Sequence, residues 1–233
     1  MSIGSETPRP SNTSRRRAVA ALIVLAVVLA NAAFIGLGSV FEYPDILQES
    51  ANEILVKFRA DEGTIVALFI TLALSAALLA PIAILLGRLA ANERGRLSMG
   101  VGIAAAVVQV VGLSRWPLIV PSLADDNDTD TFDTVHTVLG TVVGETFGYL
   151  LTAAWTGLLL VALGAAFAGR LFVVLGGTAA TLILLGILSP LGLPVVDLAN
   201  FAGYVLWSAW LLIFAVLLVR RSALRGSRAA RTV

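Results

Sequence analysis

The stretch RRRAVAALIVLAVVLANAAFIGLG, residues 15–38, decides the fold. Behind three arginines stand 21 residues without a formal charge, from Ala18 to Gly38. As a helix rising about 1.5 Å per residue, such a run crosses the roughly 30 Å of hydrocarbon in a bilayer. Five more runs of this kind follow, at approximately 64–87, 97–119, 136–168, 171–189 and 198–219. The chain of 233 residues is 58% hydrophobic and 13% charged, with a mean hydropathy of +0.92. A water-soluble domain of that length has too little interior to hide so much apolar surface, so lipid solvates most of it. The expected fold is all-α, one polytopic membrane bundle of six transmembrane helices over residues 15–219. Residues 1–14 read as a disordered polar tail. Residues 220–233 read as a basic tail drawn to anionic head groups.

Six spans place both termini on one side, and the cations say which. One set of flanks carries Arg15–Arg17, Arg88, Arg94, Arg96, Arg170, Arg220, Arg221, Arg225, Arg228 and Arg231. The opposite set has Lys57, Arg59 and Arg115 among many acids, including Glu42, Glu53, Asp61, Asp125, Asp126, Asp128 and Asp133. By the positive-inside rule both termini are cytoplasmic. The opening stretch also fits a secretory signal, with an A-x-A site at Ala30, Asn31 and Ala32. The apolar run continues past that site to full spanning length, which favours an uncleaved anchor. The cleaved alternative would leave five spans with the same charge bias.

Composition also narrows the chemistry. The chain has no cysteine and one histidine, His136, so thiol catalysis, thiolate metal sites and multi-histidine centres are excluded. Neither H-E-x-x-H nor G-x-S-x-G occurs, and no span holds paired acids, so an intramembrane enzyme is the least favoured class. No cofactor, metal or nucleic-acid partner is expected. The outward loops are simple in this reading. Residues 43–60 form an amphipathic helix between spans one and two, with Leu47, Ile54, Leu55 and Phe58 on one face and Glu53–Lys57 spaced i,i+4. It serves as a cover or as a lid. The acids of DDNDTDTFD, 125–133, lack the glycine and terminal glutamate of a calcium loop, and read as a solvated turn.

The costly residue is Arg115, in GLSRWPLIVP, residues 112–121. Counting about 1.5 Å per residue from Arg96 places it about 28 Å up span three, near the outer edge of the hydrocarbon. Pro117 and Pro121 are expected to interrupt the helix just beyond it. Span four holds an acid within an apolar run, Glu145, about 37 Å above Arg170 by the same count and lower with tilt. An ionisable group in a membrane finds a partner in the bundle interior, so Glu145 is expected to pair with Arg115. Gly140, Gly144 and Gly148 form a small-xxx-small seam that lets a neighbouring helix approach. His136, nine residues before Glu145, falls half a turn away on an α-helix and forms no dyad with it. GYLLTAAW, 148–155, echoes GYVLWSAW, 203–210, with Trp155 and Trp210 either lining a central pocket or filling the bundle.

FEYPDIL, GLSRWPLIVP and HTVLGTVVGETFGYLLTAAWT resemble an uncharacterised family of bacterial and archaeal six-span membrane proteins, a domain of unknown function. The resemblance implies a multi-pass protein of a prokaryotic cell membrane and no established activity. The favoured reading is a binding or accessory protein with an outward-facing polar site at Arg115, Trp116, Glu145, Tyr149 and His136. Its ligand would be a lipid or a small apolar or anionic molecule. A small-solute or proton-coupled transporter titrating Glu145 is the alternative, and the Arg115–Glu145 pair by itself reads first as a structural lock between spans three and four and second as a ligand or proton site. For the topology, reporters fused after residue 92 or at the C-terminus should behave as cytoplasmic, and reporters placed within 122–132 as extracytoplasmic. The reverse pattern would overturn the orientation.

Overall fold

The computed structural model describes residues 12–229. Among these residues there is no strand, and six helical segments are long and apolar enough to span a membrane: Thr13–Phe41, Glu62–Ala90, Glu93–Asp126, Thr129–Leu163, Phe167–Leu191 and Pro194–Arg221. Span one is α1 (Asn12–Phe41), which begins inside the stretch read as a polar tail; residues 1–11 lie outside the described residues. Span two is α3 (Glu62–Ala77) and α4 (Leu79–Ala90), preceded by α2 (Ala51–Ala60). Span three is α5 (Glu93–Leu118) with α6 (Val120–Asp126). Span four runs through α7 (Thr129–Val135), a π-helix (His136–Phe147) and α8 (Gly148–Leu163). Span five is α9 (Ala165–Leu185), kinked at Gly169, and span six is α10 (Pro194–Ala229).

Chain reversals are set by local chemistry. Ala91 turns left-handed, and Asn92 caps α5 by accepting from the Gly95 amide at 2.7 Å, a side-chain oxygen satisfying an amide free at the helix start. Span four ends at Leu163, short of the expected 168, because Gly164 takes φ 67°, a region open to glycine. Between spans one and two, the expected continuous helix is divided. A short 3₁₀ turn (Asp45–Gln48) precedes α2, which starts where Ser50 and Glu53 form a reciprocal capping box. These bonds hold the Glu53 carboxyl below its usual range. Glu53 is thereby committed to Ser50, and Lys57 pairs with Glu42 at 2.5 Å instead of with Glu53.

The interior is two stacked apolar clusters. At the end near the termini, Trp155, Trp210, Phe172 and Phe214 pack with Val19, Ile23 and Val27 of α1. Trp155 and Trp210 are wholly buried, so they fill the bundle. At the far end, Trp116 stacks on Phe69 with centroids 4.6 Å apart and meets Phe41 edge-on at 5.2 Å, aromatic contacts each worth about 0.5–1.5 kcal/mol beyond area burial. Ile54, Leu55 and Phe58 of α2 close this cluster from above. Arg59 fastens α2 to the last turn of α6 through the Ala124 carbonyl at 2.7 Å and to the turn beyond it through Asn127 at 3.2 Å. In that turn, Asp128 caps α7 by accepting from the Thr131 amide at 3.1 Å.

Spans three and four meet backbone to backbone. A Cβ added at Gly112 would lie 2.5 Å from Gly144 Cα and 2.9 Å from the Leu139 carbonyl oxygen. The same register sets Gly140 against Arg115 and Gly148 against Gln109. In lipid, where apolar burial drives no association between helices, such close packing and the polar contacts it permits are what hold spans together. Gly112→Ala should therefore force the spans apart and destabilise the purified chain by about 1–3 kcal/mol. Gly157→Ala, whose Cβ would meet nothing within 4 Å, should stay within about 0.5 kcal/mol of the native chain. Equal melting temperatures for the two variants would refute the contact.

Candidate functional site

Arg115 is 4% exposed, at the level where α5 nears its end. Pro117 does not end the helix as expected. The helix continues to Leu118 and breaks at Ile119, whose amide still reaches the Arg115 carbonyl at 2.9 Å. What Pro117 removes is the amide that would have bonded to the Leu113 carbonyl. The Arg115 guanidinium lies over Gly140, where a Cβ would come within 2.8 Å of Nη2 and 2.9 Å of Cζ. It donates from Nη1 to the Gly112 carbonyl at 2.7 Å, and Cζ stands 5.1 Å from the Trp116 ring centre. Its Nε is buried with no partner.

The direct ion pair with Glu145 expected from the sequence is not formed. Among the described residues, neither a hydrogen bond nor a contact within salt-bridge distance joins the two side chains. They nevertheless lie within electrostatic reach of one another. The guanidinium is anchored back on its own helix, and the half-buried Glu145 carboxylate has no donor among the described residues.

The π-helix explains how span four faces this arginine. With i→i+5 hydrogen bonds and about 4.4 residues per turn, a π-helix aligns residues spaced alternately four and five apart. His136, Gly140, Glu145 and, just past its end, Tyr149 fall into that column. The half-turn separation of His136 and Glu145 drawn from α-helical geometry is thus replaced by a shared face. Arg115 touches Gly140 and lies in electrostatic reach of His136, Glu145 and Tyr149. His136 stacks on Phe132 with centroids 5.6 Å apart, and its Nδ1 is buried without a partner. Trp116 is 0% exposed in the far-end cluster, where it backs Arg115.

Three residues join the cluster without having been singled out from the sequence as site residues. Tyr43, in the loop after span one, lies in electrostatic reach of both charges. Its phenol is pushed up to about 12, first by burial and then by Glu145, against the opposing pull of Arg115. Tyr204 of α10 meets Tyr149 with centroids 6.0 Å apart. The available signal for Tyr204 was the echoed GY of spans four and six, whose tyrosine rings the fold brings together at 61°. Asp197, just ahead of the span expected at 198–219, belongs to the first turn of α10, in electrostatic reach of Glu145. Below the cluster, Gln109 donates to Thr152 at 2.8 Å and Trp207 to Thr156 at 2.9 Å.

The arrangement is an arginine and a glutamate in one low-dielectric neighbourhood, not in contact, with Tyr43, Tyr149 and Tyr204 in electrostatic reach of the acid. Because what occupies the Cβ position of Gly140 is the end of a flexible side chain, Gly140→Ala should cost less stability than Gly112→Ala while moving the guanidinium off its seat. Thermal unfolding of the two variants side by side checks this; an equal loss would mean that Arg115 cannot yield.

A family model described as Domain of unknown function (DUF4386) matches residues 18–215, from the first span into the sixth. No curated protein and no solved structure matches the chain.

Proposed function

We infer a role from this site on the premise that the chain belongs to the DUF4386 family and is an integral membrane protein with six spans. It is a binding or accessory protein of a prokaryotic cell membrane, with cytoplasmic termini, and its polar cluster, on the outward side, takes the anionic group of a lipid or small molecule. The orientation rests on the arginine distribution. The observation that carries the binding role is Arg115, a nearly inaccessible cation with an unpartnered Nε and no carboxylate in contact. A charge held in a membrane without a counter-charge in contact is expensive and marks function more often than packing. The polar contacts favour binding over transport, since they descend as far as Thr156 and Trp207 and then meet the cluster of Trp155, Trp210, Phe172 and Phe214.

The test is the double variant Arg115→Gln/Glu145→Gln, with thermal stability measured with and without phosphatidylglycerol. Arg115→Gln alone should destabilise by about 2–4 kcal/mol, because the glutamate loses its compensating charge. The double variant should fold and no longer be stabilised by the lipid. Ligand at a hundredfold excess over its Kd should add about 2.7 kcal/mol to the native chain. Stabilisation of the double variant equal to that of the native chain would overturn the binding role and leave a structural lock.

A further inference from the structure

The outer side of span one carries a polar group that the bundle does not satisfy. In α1 the residues Ala21, Val24, Val28, Asn31, Ile35 and Gly38 recur at intervals of three and four; all are exposed but Gly38 and the rest alike face away from the bundle. A 3.5-residue repeat keeps one seam of a helix in line along its length, as in a left-handed pair of helices. Acyl chains suffice to cover the apolar members of this seam. Asn31 is different. It lies 14 residues beyond Arg17 and 10 before Phe41, so about 21 Å from one and about 15 Å from the other along the axis, within the hydrocarbon. Its Nδ2 donates to the Val27 carbonyl of its own helix at 2.8 Å and to Ser208 Oγ of α10 at 3.4 Å, the latter beyond the usual length of such a bond. Its Oδ1 accepts from no donor among the described residues. Acyl chains offer no donor, and an amide oxygen left bare in hydrocarbon is costly.

We propose that this face of α1 binds the same face of a second copy of the chain, with the two Asn31 carboxamides joined across a twofold axis. Copies inserted under one charge bias cross the membrane in the same sense. A twofold axis normal to the membrane then sets α1 parallel to α1, with like residues meeting at equal depth. Such an axis demands groups that complement themselves. Like charges there would repel, whereas a carboxamide holds both a donor and an acceptor, so Nδ2 of each copy bonds to Oδ1 of the other. The long Ser208 contact yields its hydrogen to this bond, and the Val27 contact stays. Ala21 and Gly38 are small enough for the two helices to approach closely, and Val24, Val28 and Ile35 supply the packing between them. The surface stands apart from the cluster at Arg115, and neither reading depends on the other.

The chain has no cysteine, so a single introduced cysteine forms a disulfide only with another copy. The test uses the purified full chain in vesicles of phosphatidylethanolamine and phosphatidylglycerol, oxidised and then separated under denaturing, non-reducing conditions. Val28→Cys and Ile35→Cys, on the seam, should cross-link to dimer about tenfold faster than Val161→Cys of α8 and Val174→Cys of α9, since a docked face holds like residues at high effective concentration. All four positions are well exposed, so random collision would label them alike. Adding Asn31→Leu to Val28→Cys should weaken dimerisation about tenfold, as expected for interhelical hydrogen bonds lost in lipid. Asn31→Gln, which keeps the carboxamide, should retain most of it. Asn31→Leu breaks one bond within its own helix and one long contact, and if it does not fold the cysteine pattern decides by itself. Monomer alone, equal rates at the four positions, or faster cross-linking from α8 or α9 would overturn the proposal. So would a dimer that Asn31→Leu leaves unchanged.

Discussion

The contact between Gly112 and Gly144 is the constraint from which the rest of the far half follows. Two helices whose backbones touch leave no room for side chains between them, so groups near the contact are placed by the backbone. Arg115 is three residues beyond Gly112, and Gly140 one turn before Gly144, which puts the guanidinium over a residue with no side chain to exclude it. The π-helix belongs to the same economy of space. A wider turn, centred on the glycines of LGTVVGETFG, carries Glu145 and Tyr149 round to the face that His136 and Gly140 already present.

The energetic logic of the cluster is separation. Direct contact between a buried arginine and a carboxylate is the usual way to offset the cost of removing both from water. Here that contact is withheld while the two groups stay in electrostatic reach, so part of their hydrogen-bonding capacity remains open. The aromatic packing on either side makes this tenable. Trp116, stacked on Phe69 and closed over by α2, stiffens the arginine's end of the helix. The lower cluster around Trp155 and Trp210 fixes the other halves of the same spans. Polar residues therefore sit between two rigid apolar bodies, with α2 and the loop carrying Tyr43 on the side away from the termini.

The amino-acid sequence by itself determined the solvent and the number of spans. Apolar length against bilayer thickness needs no knowledge of neighbours, and the backbone satisfies its own hydrogen bonds in any spanning helix. It also pointed to Arg115, Glu145, Tyr149 and the glycine seam, because charges and glycines are conspicuous in an apolar run. The cap was legible in part. The periodicity of Ile54, Leu55 and Phe58 was plain, but the break before Ser50 came from a capping box whose Glu53 had been assigned to Lys57.

What the tertiary structure alone decided is the relation between the charges. Reading span four with an α-helical period put His136 and Glu145 on opposite faces, and matching depth suggested that Arg115 and Glu145 would touch. Both inferences depend on helical pitch, and the pitch of this segment is π, a choice that residue order does not announce because it arises where packed backbones compete for space. Tyr43, Asp197 and Tyr204 come from three places far apart in the chain or from an echo too short to interpret. Their convergence on Glu145 is a property of how spans one, four and six are packed. The sequence could name the charged residues because charge is local, whereas the gap between Arg115 and Glu145 is set by helix geometry and by a contact between glycines that have no side chains to advertise it.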